Sequence, residues 1–235
     1  MQDALALLQR SGTVAIGGGT KVNAAPDGGP VEIVDLQALG LGRIERLSGG
    51  LDIGAGATLQ CIATNAAVPA VVREAARREE PSTLRAVATL GGCVAAGRWD
   101  SELLAALLAY AATVTLAGPD GDQLVGLDAL LAHRGQLAGR IITSVAVATG
   151  GTAQAARTGR TQADRPIVAA VARQAGGTWL ALAGVAATPV LTRAAGADLA
   201  GWLDRLDPPA DFRGSAEYRR ALAATLARRV LEAVR

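Results

Sequence analysis

Apolar positions along the chain fall into short runs whose spacing switches between helical and alternating. Leu5, Leu7 and Leu8 give a helical pattern across Asp3–Arg10, and Ser11-Gly12 closes it ahead of the apolar strand Thr13-Val14-Ala15-Ile16. A glycine-rich loop follows at once. Val31–Leu36 alternates and is β-branched, which predicts a second strand after turn chemistry at Asp27-Gly28-Gly29-Pro30. Ile44–Leu47 and Leu51–Gly54 alternate around Ser48-Gly49-Gly50 and predict a hairpin. Thr58 is placed to cap a helix reaching about Asn65, and a second helix spans about Val68–Arg78 and stops at Glu79-Glu80-Pro81.

Thr83–Ala96 is rich in Val, Thr and Gly and reads as strand or loop. Ser101-Glu102 opens a helix through Leu103, Leu104, Leu107 and Leu108, and Thr113–Ala117 is a strand ending in the turn Gly118-Pro119-Asp120-Gly121. The polar stretch Gly150–Arg165 lacks aromatic residues and concentrates turn formers, so a domain boundary is expected near residue 150. Beyond it, Pro166–Arg173 and Trp179–Val185 read as antiparallel strands joined by Gln174-Ala175-Gly176-Gly177, followed by a helix over about Gly196–Asp204. The last helix starts at a Ser215 cap. Its Tyr218, Leu222, Leu226 and Val230 lie four apart on one face, with Arg219, Arg220, Arg228 and Arg229 expected outside.

Composition narrows the chemistry. The 235 residues are 50% hydrophobic but only 3% aromatic, with Phe212 the single phenylalanine, so the core must be built from Ala, Val and Leu. A formal charge of +2, from 23 basic and 21 acidic residues, gives no electrostatic footprint for nucleic acid or anionic lipid. His133 is the only histidine, and Cys61 and Cys93 are the only cysteines, too few for a Cys/His zinc site or an iron–sulfur centre. No metal site and no catalytic residue are expected. The most apolar segment, Leu103–Gly118, contains Tyr110, Thr113 and Thr115 and falls short of the roughly 20 residues a membrane span needs. With no leader-like opening, the chain reads as cytoplasmic.

Gly17-Gly18-Gly19-Thr20, directly after a strand, is the first candidate site, because residues without Cβ let successive backbone N–H groups receive phosphate oxygens. The same pattern also makes a tight turn between strands. Lys21, the only lysine, sits beside it within reach of a phosphate. Thr89-Leu90-Gly91-Gly92-Cys93 is a second glycine-bearing loop, and two such loops can close on the halves of one pyrophosphate. Cys93 has no histidine near in sequence and reads as a small packed thiol; His133 reads as a surface residue at a helix end. Glu79-Glu80 is expected to be solvated, and Asp100 and Glu102 to favour the positive end of the helix they open. Arg157, Arg160 and Arg165 form a solvated or partner-facing group.

Taken in order, Ala15-Ile16-Gly17-Gly18-Gly19-Thr20-Lys21 and Thr89-Leu90-Gly91-Gly92-Cys93 resemble the two flavin loops of the FAD-binding medium subunit of the molybdenum hydroxylases, the xanthine dehydrogenase and carbon monoxide dehydrogenase family. Further matches follow in order: Ile33-Val34-Asp35-Leu36, Ile53–Thr58, Leu116–Gly121, Gly184–Val190 and Glu217-Tyr218-Arg219-Arg220. The resemblance implies an α+β fold with an α/β N-terminal portion. It comprises a two-part FAD-binding domain of the PCMH/vanillyl-alcohol-oxidase-like type at 1–149, divided near residue 40, and a C-terminal α+β flavoprotein domain at 150–235.

It also implies FAD as cofactor, held by Ile16, Gly17, Gly18, Gly19, Thr20, Lys21, Thr89, Leu90, Gly91, Gly92 and Cys93, with Glu102, or Asp100 after a small shift, on the nucleotide's sugar part. The implied partners are an iron–sulfur small subunit with two [2Fe–2S] clusters and a molybdopterin large subunit that oxidises the substrate. The implied role is a cytoplasmic oxidoreductase component, passing electrons within a heteromer to a final acceptor. The sequence departs from the family where Cys93 replaces the usual Asn and Lys21 an Asp, in a short stretch between Lys21 and Val31, and in a late start. These departures leave a flavin-free structural or assembly subunit as the alternative.

Overall fold

The computed structural model describes residues 1–22, 32–161, 164–193 and 198–235. Helix α1 (Gln2–Leu8) leads into β1 (Thr13–Ile16), which pairs in parallel with β2 (Glu32–Asp35), Thr13 opposite Glu32 and Ile16 opposite Asp35. The expected turn at 27–30, and Val31 itself, lie outside the described residues. Ala4 of α1 and Val34 of β2 meet Ile141 in a small core of their own, so this first unit is seated on the start of a later strand.

A five-stranded antiparallel sheet follows, made of β3 (Ile44–Leu47), β4 (Gly50–Gly54), β5 (Thr113–Gly118), β6 (Gly121–Gly126) and β7 (Ile141–Ala148) in the order β3-β4-β7-β5-β6. The β3–β4 hairpin takes the register its alternation dictates, Ile44 opposite Ile53. Helices α2 (Leu59–Thr64), α3 (Ala70–Glu79), α4 (Ser82–Arg85), α5 (Leu90–Ala96), α6 (Glu102–Ala109) and α7 (Leu127–Ala132) fill the connections. Thr58, Thr89 and Ser101 cap α2, α5 and α6 by accepting the amides of Cys61, Gly92 and Leu104.

Helix α6 is buried along its whole length. It packs on α3 and on a second antiparallel sheet, β11-β10-β9-β8, formed by β8 (Thr152–Thr158), β9 (Val168–Gln174), β10 (Thr178–Ala183) and β11 (Val190–Arg193). Ala169, Val171, Ala181 and Ala183 of that sheet join the α6 core, while Val168, Ala170, Ala172, Leu180 and Leu182 pack beneath α9 (Ala216–Ala233). Both faces are covered, which is why Val168–Ala172 is an unbroken apolar run rather than an alternating one. Helix α8 (Leu199–Asp204) precedes α9; the expected start of α8 at Gly196 lies outside the described residues.

Two expectations are corrected. Thr83–Ala96 is neither strand nor loop but the helices α4 and α5, because Leu90, Cys93 and Val94 bury against the sheet and tertiary packing outweighs the poor propensity of Gly91 and Gly92. The first turn of α9 also departs from expectation, with Arg219 fully buried and Tyr218 46% exposed, while Leu226 and Val230 are buried and Arg228 and Arg229 exposed as expected. A guanidinium finds partners inside at the Ile167 carbonyl and the Asp211 carboxylate, with its carbon 4.8 Å from the Trp99 ring centre.

Candidate cofactor site

The loop leaving β1 lies directly on the segment that leads into α5. A Cβ on Gly18 would stand 1.7 Å from the Val87 carbonyl oxygen, and one on Gly17 would stand 2.9 Å from Thr89 Oγ1. Only residues without side chains permit that approach. Gly91 is held as closely on the other side, where a Cβ would stand 2.8 Å from the Ala55 Cβ. Between these contacts opens a cavity of about 730 Å³, within the roughly 300–1,000 Å³ of small-molecule sites.

Five of the sequence-expected residues line it: Gly17, Gly18, Thr89, Gly91 and Gly92. Leu36, Leu41, Val87, Leu137, Ile141 and Ile142 supply an apolar wall, and Arg43 and Arg140 are the cations of the lining, which contains no carboxylate, histidine or cysteine. Sequence reasoning missed these two arginines and the apolar wall, since nothing local distinguishes them from other surface or core positions.

The two loops differ in their hydrogen bonding. In the second, the Leu90 amide donates to the Ala57 carbonyl (2.9 Å), Gly91 to Ala55 (2.8 Å), Gly92 to Thr89 Oγ1 (3.2 Å) and Cys93 to the Thr89 carbonyl (3.0 Å). These four amides cap α5 and join it to the end of β4, whereas the Thr89 amide has no acceptor among the described residues. In the first, among the described residues, the amides of Gly17, Gly18, Gly19 and Thr20 have no acceptor. The Gly17 carbonyl accepts from Gln37 Nε2 (3.2 Å), which fixes the loop without using those donors.

The other expected residues stand away from the cavity lining. Ile16 ends β1 half-buried, Leu90 is buried in the main core, and Lys21 bonds Glu80. Cys93 is a packed thiol, as expected; burial pushes its pKa far up, and the nearby Glu79 adds to the rise.

Asp100 and Glu102 belong to a buried charge cluster. Asp100 accepts from Arg98 (3.1 and 3.2 Å) and Arg213 (3.0 Å), and Glu102 pairs with Arg78 (3.1 Å) and Arg157 (3.2 Å). The expectation of a solvated Glu79-Glu80 pair is overturned, since Glu79 is only 5% exposed. Its carboxylate accepts from the Ser101 hydroxyl (2.9 Å) and from Arg165 (3.0 Å), which also bonds Glu80 (2.8 Å). Arg157 and Arg165 therefore point inward, contrary to expectation, and only Arg160 remains largely exposed. Burial raises the pKa of Glu102, with Arg78 and Arg157 acting against the shift. His133 is exposed at the end of α7, as expected. Among the described residues, no group of acidic, cysteine or histidine side chains is arranged to hold a metal, and no helix is long and apolar enough to cross a membrane.

The family model for the FAD binding domain in molybdopterin dehydrogenase matches residues 1–148. The chain belongs to that family of FAD-binding proteins. No curated protein matches it. Among solved structures, the chain resembles the Cu,Mo-CO dehydrogenase in its cyanide-inactivated form, with a TM-score of 0.85 and 23% identity over 99% of this chain and 94% of the other. It also resembles the carbon monoxide dehydrogenase of Hydrogenophaga pseudoflava lacking the Mo-pyranopterin moiety (0.85, 21%, covering 99% and 93%) and the quinoline 2-oxidoreductase of Pseudomonas putida 86 (0.83, 21%, covering 100% and 93%). At these identities the likeness establishes the mixed α and β fold. FAD also fits the site just described: open amides and guanidinium groups suit an anionic linker, and the apolar wall suits flat rings.

Proposed function

We propose that the chain is the FAD-carrying electron-transfer subunit of a molybdenum hydroxylase complex. In this reading an iron–sulfur small subunit delivers electrons from its [2Fe–2S] clusters, a molybdopterin large subunit oxidises the substrate, and the flavin subunit passes the electrons to a final acceptor. The observation that carries it is the make-up of the cavity, which joins backbone donors and arginines to an apolar wall and contains no carboxylate, histidine or cysteine in its lining. Such a site binds and orients, and the redox chemistry is the cofactor's. When bound, FAD supplies the carrier that exchanges electrons with both the clusters and the acceptor.

The chain's own residues then have distinct tasks. Gly17 and Gly18 bring open amides to the lining, with Gly19 and Thr20 continuing the row, while Thr89, Gly91 and Gly92 form a surface on which small residues leave room for the ligand. Leu36, Leu41, Val87 and Leu137 exclude water. Ile16, Lys21, Leu90, Cys93, Asp100 and Glu102 act as support from behind. The domain assignment, 1–149 divided near residue 40 and 150–235, draws support from β7 ending at Ala148 and from the second sheet and α9 lying wholly beyond it. A cytoplasmic heteromer belongs to the same reading.

The test is the visible spectrum of the purified chain with identification of any flavin released on denaturation, followed by mixing with the reduced iron–sulfur partner. FAD at near one per chain, bleached by the partner, is expected. A chain that neither retains nor takes up FAD defeats the cofactor assignment; a loaded chain that stays yellow defeats the electron-transfer role.

A further inference from the structure

The dinucleotide's pyrophosphate brings about two negative charges into a half-enclosed cavity, and burying such charge requires donors and counter-charges. Of the groups that sequence would nominate for this, the Gly17–Thr20 and Thr89 amides are open among the described residues but uncharged, and the rest are engaged elsewhere. Lys21 bonds Glu80, and the amides of Leu90, Gly91, Gly92 and Cys93 all have acceptors within the protein. Of the two lining arginines, Arg43 faces Glu45 at 3.7 Å with its side chain 83% exposed, so solvent and a carboxylate already screen it. Arg140 differs. Among the described residues it has neither ion pair nor hydrogen-bond acceptor for its guanidinium, and it is half-buried.

Its placement is fixed from both sides. Gly139 before it is left-handed (φ +65°) and its carbonyl accepts from Gln9 Nε2 of the segment following α1 (3.0 Å); Ile141 after it is buried between the first unit and the sheet. The side chain lies across Gly118 at the end of β5, where a Cβ would stand 2.4 Å from an Arg140 terminal nitrogen. A Cβ there would require the end of this flexible side chain to shift.

Resting on the FAD assignment of this cavity, we propose that Arg140 is the counter-charge for the FAD pyrophosphate, acting with the open amides of the Gly17–Thr20 loop. A planar, permanently charged donor suits phosphate oxygens, and this one breaks no internal pair to reach them.

The experiment is FAD titration of the flavin-stripped chain at low and high salt, with Arg140→Gln, Arg140→Lys and, as a charge control, Arg46→Gln on exposed β3, alongside thermal unfolding with and without FAD. Arg140→Gln should weaken FAD binding by about 10- to 100-fold at low salt and flatten the salt dependence. It should leave the melting temperature of the flavin-free protein unchanged while reducing the rise that FAD produces. Arg140→Lys should keep the salt dependence, and Arg46→Gln should match the wild type. If the wild type binds FAD and Arg140→Gln binds it equally well, or if Arg140→Lys loses the salt dependence, the assignment of Arg140 is overturned. If Arg140→Gln lowers the flavin-free melting temperature, its role is structural and the proposal also fails. If the wild type itself binds no FAD, the cofactor assignment of the cavity falls first and that of Arg140 with it.

Discussion

The cavity and the buried charge cluster behind it are built on opposite principles. In the cavity, function is prepared by what is missing: no Cβ on Gly17, Gly18 or Gly91, no acceptor for the first loop's amides, no carboxylate in the lining. In the cluster, Glu79, Glu80, Asp100 and Glu102 are matched by Lys21, Arg78, Arg98, Arg157, Arg165 and Arg213, tying α3, the start of α6 and the strand-bearing C-terminal half together. The difference teaches that charge density along the sequence marks structural closure here, while the candidate binding surface is marked by small residues. A buried ionic network also specifies geometry more than it adds stability, since its desolvation cost offsets much of the attraction.

Breaking the cluster should give the largest effect. Arg165→Ala leaves Glu79 without a cation while Glu80 keeps Lys21 and Asp100 keeps Arg98 and Arg213, so a loss of about 3 kcal/mol in unfolding free energy is expected. The loss should shrink at acid pH, where Glu79, whose pKa burial already raises against the pull of Arg165, takes up a proton instead. Denaturant titration at two pH values reads both, and FAD affinity of the folded fraction should hold. Gly18→Val should reverse that pattern. Its side chain meets the Val87 carbonyl, so the loop must shift, costing about 1–3 kcal/mol of stability while abolishing measurable FAD uptake. Equal loss of FAD binding in both variants would erase the distinction between the two regions.

Much of this was legible where the determinants are local. The Ser48-Gly49-Gly50 hairpin and the caps at Thr58, Ser101 and Ser215 depend on residues within four positions of one another, and all are found. The two glycine loops were also recognisable, and they do meet at one cavity. Helices α4 and α5 were not, because Gly91-Gly92 is a poor helix former and the helix exists through contact with Ala55 and the sheet. Nor was the inward turn of Glu79 and Arg165, which lie 86 residues apart in sequence, or of Arg219, which reaches the Ile167 carbonyl 52 residues away as well as Asp211 8 residues away. Arg140 carries no local signal at all; what distinguishes it is the lack of a partner, which only the folded chain reveals.

The smallest effect separates the regions by pH. Glu102 ionises at higher pH in the folded chain than in the unfolded one, because burial raises its pKa more than Arg78 and Arg157 lower it. Between the ordinary glutamate value of 4.5 and that raised value the folded state holds more protons than the unfolded state. Stability therefore falls as pH rises through this window, by at most about 1.4 kcal/mol per pH unit for one group. Asp211 runs the other way, because the bonds from Arg213 and Arg219 outweigh the opposing effect of burial and lower its pKa. Its contribution is lost only below the ordinary aspartate value of 3.8, so the two windows do not overlap. Glu102→Gln should accordingly flatten part of the decline in denaturant-measured stability above pH 4.5, leaving the part due to Glu79. Because no carboxylate lines the cavity, FAD affinity over the same range should stay level in wild type and variant alike. An affinity that tracked the stability slope would show that cluster and cavity act as one site, with Glu102 coupled to the cofactor as the family resemblance first suggested.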